Sequence, residues 1–216
     1  MRYDSVIFDL DGTLLNTLDD LAAAVNYALS QKGYPTRTVQ EVCRFVGNGV
    51  EKLVRRAVPA DTDEAQIMDT LSVFKTYYAQ HNNDVTAPYP GINELLATLK
   101  AEGVRMAIVS NKNDPNVKAL ARMYFPDTIT LAVGEGNGVR PKPCPDSVLH
   151  VMTQWQSTPA RTLYVGDSDV DIQTAQNAGV DCASVCWGFR PEEELRQSGA
   201  TLLIHTAEEL LACVRG

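Results

Sequence analysis

Val6, Ile7 and Phe8 form an apolar, β-branched and aromatic run that stops on two carboxylates, Asp9 and Asp11, followed by Gly12 and Thr13. Such a run reads as a buried strand, with the acids where the chain leaves a sheet. After Leu15 the period becomes helical and stays so to about Val85. Leu18, Leu21, Ala22, Val25 and Leu29 mark a first helix, with Thr17 as its N-cap and Gly33 and Pro35 at its end. Thr38 and Glu41 are spaced as a capping box for a second helix. Gly47-Asn48-Gly49 interrupts it, and Val50 to Ala57 resumes as a third. A fourth helix, from about Asp63 to Gln80, carries Ile67, Leu71, Phe74 and Tyr78 as its apolar stripe.

The rest of the chain alternates. Helices are expected around Ile92 to Leu99, Val117 to Ala121, Val148 to Trp155, Ile172 to Ala178, Pro191 to Gln197 and Ala207 to Val214. Between them lie strands at Val104 to Val109, Thr128 to Val133, Thr162 to Val165, Cys182 to Val185 and Thr201 to Ile204. The first of these ends on Ser110, the next runs into the glycine-rich stretch GEGNG, and the next ends on Gly-Asp. This alternation predicts an α/β fold: a Rossmann-like parallel sheet with helices on both faces and right-handed crossovers. A four-helix domain is inserted after the first strand. Residues 1–15 and 88–216 would form the core and residues 16–87 the helical insert, with linkers near Leu15-Asn16 and Pro88-Tyr89-Pro90-Gly91.

Composition narrows the partners. With 216 residues, 44% hydrophobic, there is enough chain for one buried core and a smaller appendage. A formal net charge of −8 argues against nucleic acid or an anionic membrane as partner, since both call for a basic face. No run approaches the ~18 apolar residues that a membrane span requires. The five cysteines form no CxxC pair, and no secretory signal is seen, so reduced thiols in the cytoplasm are expected. Cys182 and Cys186 read as small core residues beside a strand. The three histidines sit in no zinc-binding motif, which speaks against histidine-based zinc chemistry.

Ligands of open α/β sheets bind beyond the carboxyl ends of the strands, and polar residues gather there in this sequence. One strand leads to Asp9 and Asp11, another to Ser110 and Asn111, a third to Arg140-Pro141-Lys142-Pro143, and a fourth to Asp167-Ser168-Asp169-Val170-Asp171. Carboxylates this close repel unless a cation relieves them. Mg²⁺ suits the set, being a hard ion that takes a few carboxylate oxygens, a phosphate and water; Asp9 and Asp167 can provide the carboxylates. Asp9 is also suited to attack phosphorus, and Asp11 to protonate a leaving oxygen and then deprotonate water. Ser110 offers a hydroxyl, Lys142 a charge, and the helix expected after Asn111 its open N–H groups. Asn111 and Asp114 read as helix caps, Arg140 as outward-facing or paired, and Asp169 as the start of a helix.

DLDGT, then SN, then the lysine of PKP, then GDSDVD, in this order along the whole chain, resembles the haloacid dehalogenase superfamily. The helical insert is similar to that superfamily's small α-helical cap. The resemblance implies that Asp9 is the nucleophile and Asp11 the acid/base, with the Asp11 carbonyl also on Mg²⁺. It implies Asp167 as a further metal ligand, Ser110, Asn111 and Lys142 as phosphate holders, and Thr13 and Asp171 as supports. The second aspartate argues for phosphate rather than halide as leaving chemistry.

The stretch RFVGNGVEKLVRRAV, from Arg44 to Val58, is similar to the cap segment of phosphoglycolate phosphatases. That likeness implies Arg44 and Asn48 as substrate contacts and a small phosphorylated metabolite, 2-phosphoglycolate first, as the partner of a monomer or homodimer. Pyrophosphate or sugar-phosphate hydrolysis, a sugar phosphomutase and a non-catalytic binding protein remain as alternatives.

Overall fold

The computed structural model describes residues 1–136 and 138–216. Asn137, within the GEGNG stretch, lies outside the described residues. The chain divides into two compact units, Met1–Leu15 with Pro88–Gly216, and Asn16–Ala87.

Strand β1 (Ser5–Phe8) is buried at every position. Short strands β2 (Leu15–Asn16) and β3 (Ala87–Pro88) carry the chain out of the core unit and back, and they pair with each other. Between them come α1 (Leu18–Gln31), α2 (Val39–Phe45), α3 (Val50–Ala57) and α4 (Glu64–His81). Leu21, Val25, Leu29, Leu53, Val54, Leu71 and Phe74 meet in one apolar cluster, as their helical spacing predicts. The Thr38–Glu41 capping box forms. Thr17 differs from expectation. Its ψ of 5° takes it out of the extended geometry of a side-chain cap, and Asn16 Oδ1 accepts the Leu18 N–H instead, at 3.3 Å. Buried Asp20 ties the end of this unit to its beginning, accepting from Thr86 N at 2.9 Å, Thr86 Oγ1 at 2.6 Å and Val85 N.

The core unit continues through α5 (Ile92–Ala101), β4 (Arg105–Asn113), α6 (Asp114–Tyr124), β5 (Leu131–Glu135), α7 (Asp146–Trp155) and β6 (Thr162–Gly166). It ends with α8 (Asp169–Ala178), β7 (Asp181–Val185), α9 (Glu192–Gln197), β8 (Leu203–Ile204) and α10 (Ala207–Arg215). Six strands form one sheet in the order β5-β4-β1-β6-β7-β8. Every pairing is parallel. Successive β1 side chains go to opposite faces. Val6 and Phe8 join Ile92, Leu96, Val117 and Leu210 in one apolar cluster, while Ile7 joins Val148, Val151 and Ala175 in another. Both faces are therefore covered, which is why these strands read as continuous apolar runs.

Two boundaries move. β4 does not stop at Ser110 but continues to Asn113, because after a register shift Asn113 pairs with Glu135 of β5. Its following helix starts at Asp114, so Asn111 is a strand residue and not a cap, and no helix N-terminus opens directly behind it. β5 starts at Leu131 instead of Thr128, since the Thr128 and Ile129 N–H groups are spent on the Phe125 carbonyl at 3.2 and 3.1 Å. Among the described residues no helix is long and apolar enough to cross a membrane.

Candidate active site

The strand order reverses at β1: the chain moves outward through β4 and β5, then returns to β6 on its other side. Such a reversal opens a crevice at the carboxyl ends of the strands, and there the core unit assembles its charges. Lys142, buried in the loop after β5, places Nζ 2.8 Å from Asp9 Oδ1, 2.7 Å from Asp171 Oδ1 and 3.1 Å from the Tyr164 hydroxyl. Asn111 holds the loop that carries this lysine. Its Nδ2 donates to the Lys142 carbonyl at 3.0 Å and its Oδ1 accepts the Lys142 N–H at 2.7 Å, as a neighbouring strand would. Both ends of the Asn111 amide thus go to backbone.

Asp167 leaves β6 into a tight cradle. Thr13 Oγ1 donates to its Oδ1 at 3.2 Å and Phe189 N to its Oδ2 at 2.7 Å. Trp187 Nε1 in turn donates to the Thr13 carbonyl at 3.0 Å. A Cβ on Gly12 or on Gly188 would fall onto the Asp167 side chain, so both positions need glycine for the approach itself. Asp171 is saturated. Its Oδ2 accepts from Asp167 N at 3.2 Å, Ser168 N at 3.1 Å and Ser168 Oγ at 2.6 Å, and its Oδ1 takes Lys142 and the Tyr164 hydroxyl. Asp11 pairs with Lys112 at 2.7 Å, and Ser110 Oγ accepts the Lys112 N–H at 3.2 Å.

Burial pushes the Asp9 carboxyl up to about 7, with Asp171 and Asp11 adding to the shift and Lys142 opposing it. Asp167 is pushed well above the usual carboxylate range, first by burial and then by Asp171 and Asp9. Burial alone would depress the Lys142 ammonium, yet Asp171 and Asp9 outweigh it and hold it well above its ordinary value. One lysine among three buried acids leaves the cluster short of positive charge.

The cluster fits a hard cation. Oxygens of Asp9, Asp167 and Asp171 lie within 4.8 Å of one another. Asp9 Oδ1 is buried, and the Lys142 ammonium at 2.8 Å answers its charge. Asp9 and Asp167 keep acceptor capacity for a metal. Asp171 has spent its own on Lys142, Tyr164 and the 167–168 turn, so its part is to orient.

Asp9, Asp11, Thr13, Ser110, Asn111, Lys142, Asp167 and Asp171 all belong to this end of the core unit. Arg44 and Asn48 belong to the helical unit. There Arg44 lies in the last turn of α2, and Asn48 Oδ1 accepts from Arg56 Nη2 at 2.8 Å, while Arg56 Nη1 donates to the Phe45 carbonyl at 2.7 Å. Arg140 is paired with Asp146 at 2.8 Å, and Asp169 opens α8. Sequence reasoning missed Lys112, Tyr164 and the Trp187–Phe189 turn. Carrying the strand alternation past Ser110 would have put Lys112 on the same side as that serine. Nothing in the residue pattern marked Tyr164, which reads as an ordinary core aromatic.

Residues 6–185 match the family described as haloacid dehalogenase-like hydrolase. A phosphoglycolate phosphatase of Pseudomonas putida KT2440 is 36% identical over 212 residues, covering 95% of this chain and 78% of that protein. Phosphoglycolate phosphatase 1 of Pseudomonas aeruginosa PAO1 is 34% identical over 214 residues, covering 96% and 78%. A provisionally named phosphoglycolate phosphatase from Lactobacillus delbrueckii subsp. bulgaricus, solved as a crystal structure, aligns with a TM-score of 0.95 at 36% identity over 99% of both chains. CbbY from Rhodobacter sphaeroides, solved in complex with phosphate, aligns at 0.73 with 25% identity over 96% of both.

Proposed function

The chain belongs to the haloacid dehalogenase-like hydrolase family, and from that premise we propose that it is a Mg²⁺-dependent phosphatase of small phosphomonoesters, with 2-phosphoglycolate as its substrate. The observation that supports this reading most is Asp9: a buried carboxylate at a strand end, with one oxygen 2.8 Å from the ammonium of a buried lysine and two further buried carboxylates within reach of the same ion.

In this reading an Asp9 oxygen attacks phosphorus. The Asp9 O–P bond forms, the ester P–O bond breaks, and Asp11 gives its proton to the departing oxygen. Water then attacks the aspartyl phosphate, Asp11 takes a proton from it, and the Asp9 O–P bond breaks to release phosphate. Lys142 and the Ser110 hydroxyl hold phosphoryl oxygens, Lys142 being aimed by Asp171 and Tyr164 and its loop by Asn111. Thr13 orients Asp167. A bound Mg²⁺, held by Asp9, Asp167 and the Asp11 carbonyl, supplies positive charge for the phosphoryl oxygens. The helical unit serves as the cap that selects the substrate, with Arg44 and Asn48 as the residues that meet it. Support for 2-phosphoglycolate comes from the two Pseudomonas relatives, whose names carry that substrate.

Phosphate release from a panel of phosphomonoesters and pyrophosphate, with Mg²⁺ and with EDTA, tests both levels. We expect the highest kcat/KM for 2-phosphoglycolate, none with EDTA and none for Asp9→Asn. Preference for a sugar phosphate or pyrophosphate overturns the substrate; no release from any compound overturns the phosphatase.

A further inference from the structure

A second group of metal-ligating side chains lies in the core unit, apart from the carboxylate cluster. Cys186 follows β7, Glu192 stands in the first turn of α9, and His205 follows β8; one ligand atom from each lies within 4.8 Å of the other two. We propose that these residues form a binding site for a borderline transition cation, Zn²⁺ above all, distinct from the Mg²⁺ site.

Sheet register builds the first half of this site. β7 and β8 pair as Ser184 with Leu203 and Val185 with Ile204. The ladder runs one step further, the Cys186 N–H donating to the Ile204 carbonyl at 2.8 Å. Cys186 and His205 are therefore the next neighbours, and side chains of paired residues share one face of a sheet. His205 is steadied by its own N–H, which donates to Glu209 Oε2 at 2.7 Å.

Glu192 completes the set with its two oxygens divided. Oε1 receives Arg196 Nε at 2.9 Å and Nη2 at 2.5 Å. Oε2 faces His205 Nε2 at 3.7 Å. That is the separation of two ligands on one small ion rather than a hydrogen bond. Arg196 thus plays the outer part seen around metal carboxylates, fixing one oxygen while the other points inward.

Ligand chemistry selects the ion. A thiol, an imidazole and one carboxylate oxygen suit Zn²⁺ or Co²⁺, whereas Mg²⁺ and Ca²⁺ prefer oxygen throughout. Cys186 and Glu192 are half-buried and His205 is exposed, so an ion can enter and water can fill a fourth position. The ligands come from three separate segments, which is why no zinc spacing is visible in the sequence. Cys186 is consequently no core filler: it is absent from the apolar clusters, whereas Cys182 packs against one.

The test is a Co²⁺ titration of the full chain in excess Mg²⁺, which keeps the carboxylate site occupied. Thiolate-to-cobalt charge-transfer absorbance is followed, and then its displacement by Zn²⁺. Wild type should saturate at one equivalent and lose the band to Zn²⁺. Cys186→Ser should show no band, and His205→Ala should bind at least about tenfold more weakly, both with wild-type phosphate release. Cys182→Ser should behave as wild type. No band in wild type, or a band that persists in Cys186→Ser, overturns the proposal; His205 at the surface gives a variant that folds regardless. Because the readout does not depend on turnover, failure here leaves the phosphatase reading untouched.

Discussion

At the carboxyl end of the core sheet, a buried lysine meets Asp9, Asp171 and the Tyr164 hydroxyl, and Asn111 clamps its backbone. In the helical unit, the turn around Asn48 is held by exposed Arg56, which reaches Phe45 O and Asn48 Oδ1 from the surface. Both regions use one cationic side chain to organise a loop that we assign to the substrate. They differ in what removal would leave behind. A core group stripped of its partner stays out of water and costs its full desolvation, while a surface group recovers solvent. Geometry at the first site is therefore enforced by stability, and at the second it is free to vary without endangering the fold. That is the division expected of an enzyme whose reaction is fixed and whose substrate is selected separately.

The largest effect should follow from Asp9→Asn, which keeps the side-chain shape and removes the nucleophile. Turnover of 2-phosphoglycolate should fall by ~10⁴-fold or more, with far-UV circular dichroism unchanged. Residual activity within tenfold of wild type would break the assignment of Asp9. Next comes Lys142→Ala, which strands Asp9 and Asp171 together in the interior. Chemical denaturation should show a loss of about 3–5 kcal/mol, alongside loss of turnover.

Metal linkage sharpens the contrast further. Mg²⁺ at ~100 times its Kd should stabilise the wild type by about 2.7 kcal/mol, and Asp167→Asn much less, when thermal melts are compared with and without EDTA. Asn111→Ala should cost about 1–2 kcal/mol through the two backbone groups it leaves unpaired, and lower kcat by loosening Lys142. The smallest expected change is Arg56→Ala: under about 1 kcal/mol in stability, with KM for 2-phosphoglycolate raised and kcat retained. Were Arg56→Ala to destabilise as much as Lys142→Ala, the contrast between the two regions would be gone.

Most of the architecture could be read from periodicity, because the sheet is buried on both faces and the helices bury a single stripe. Asp9 and Asp167 are legible for a different reason: each sits just beyond an apolar run, where a charge has no structural excuse, while Lys142 stands out between two prolines. Lys112 is hidden because the apolar run of β4 ends at Val109, and only the register shift that lets Asn113 pair with Glu135 extends the strand. The role of Asn111 was misread on the same account. A cap and a backbone clamp use the same side chain, and only the tertiary fold decides which partner it meets. Tyr164 and the Trp187–Phe189 turn depend on contacts between residues far apart in sequence, and the Cys186, Glu192 and His205 grouping depends on strand register. Neither kind of information is carried by a local pattern.

β1, the earliest strand of this sequence, lies inside the sheet between β4 and β6. Ser5 lies beside Arg105 on one side and Thr162 on the other, so along this sequence β1 meets its first neighbour about halfway and its second only at three-quarters. Meanwhile Asn16–Ala87 holds its own apolar cluster and can condense early, a knot of helices trailing an unpaired apolar ribbon. Pairings across such long separations are slow to form. The nascent chain therefore spends much of its synthesis with VIF uncovered, a stretch for chaperones to shield and, in any truncated product, a seed for aggregation.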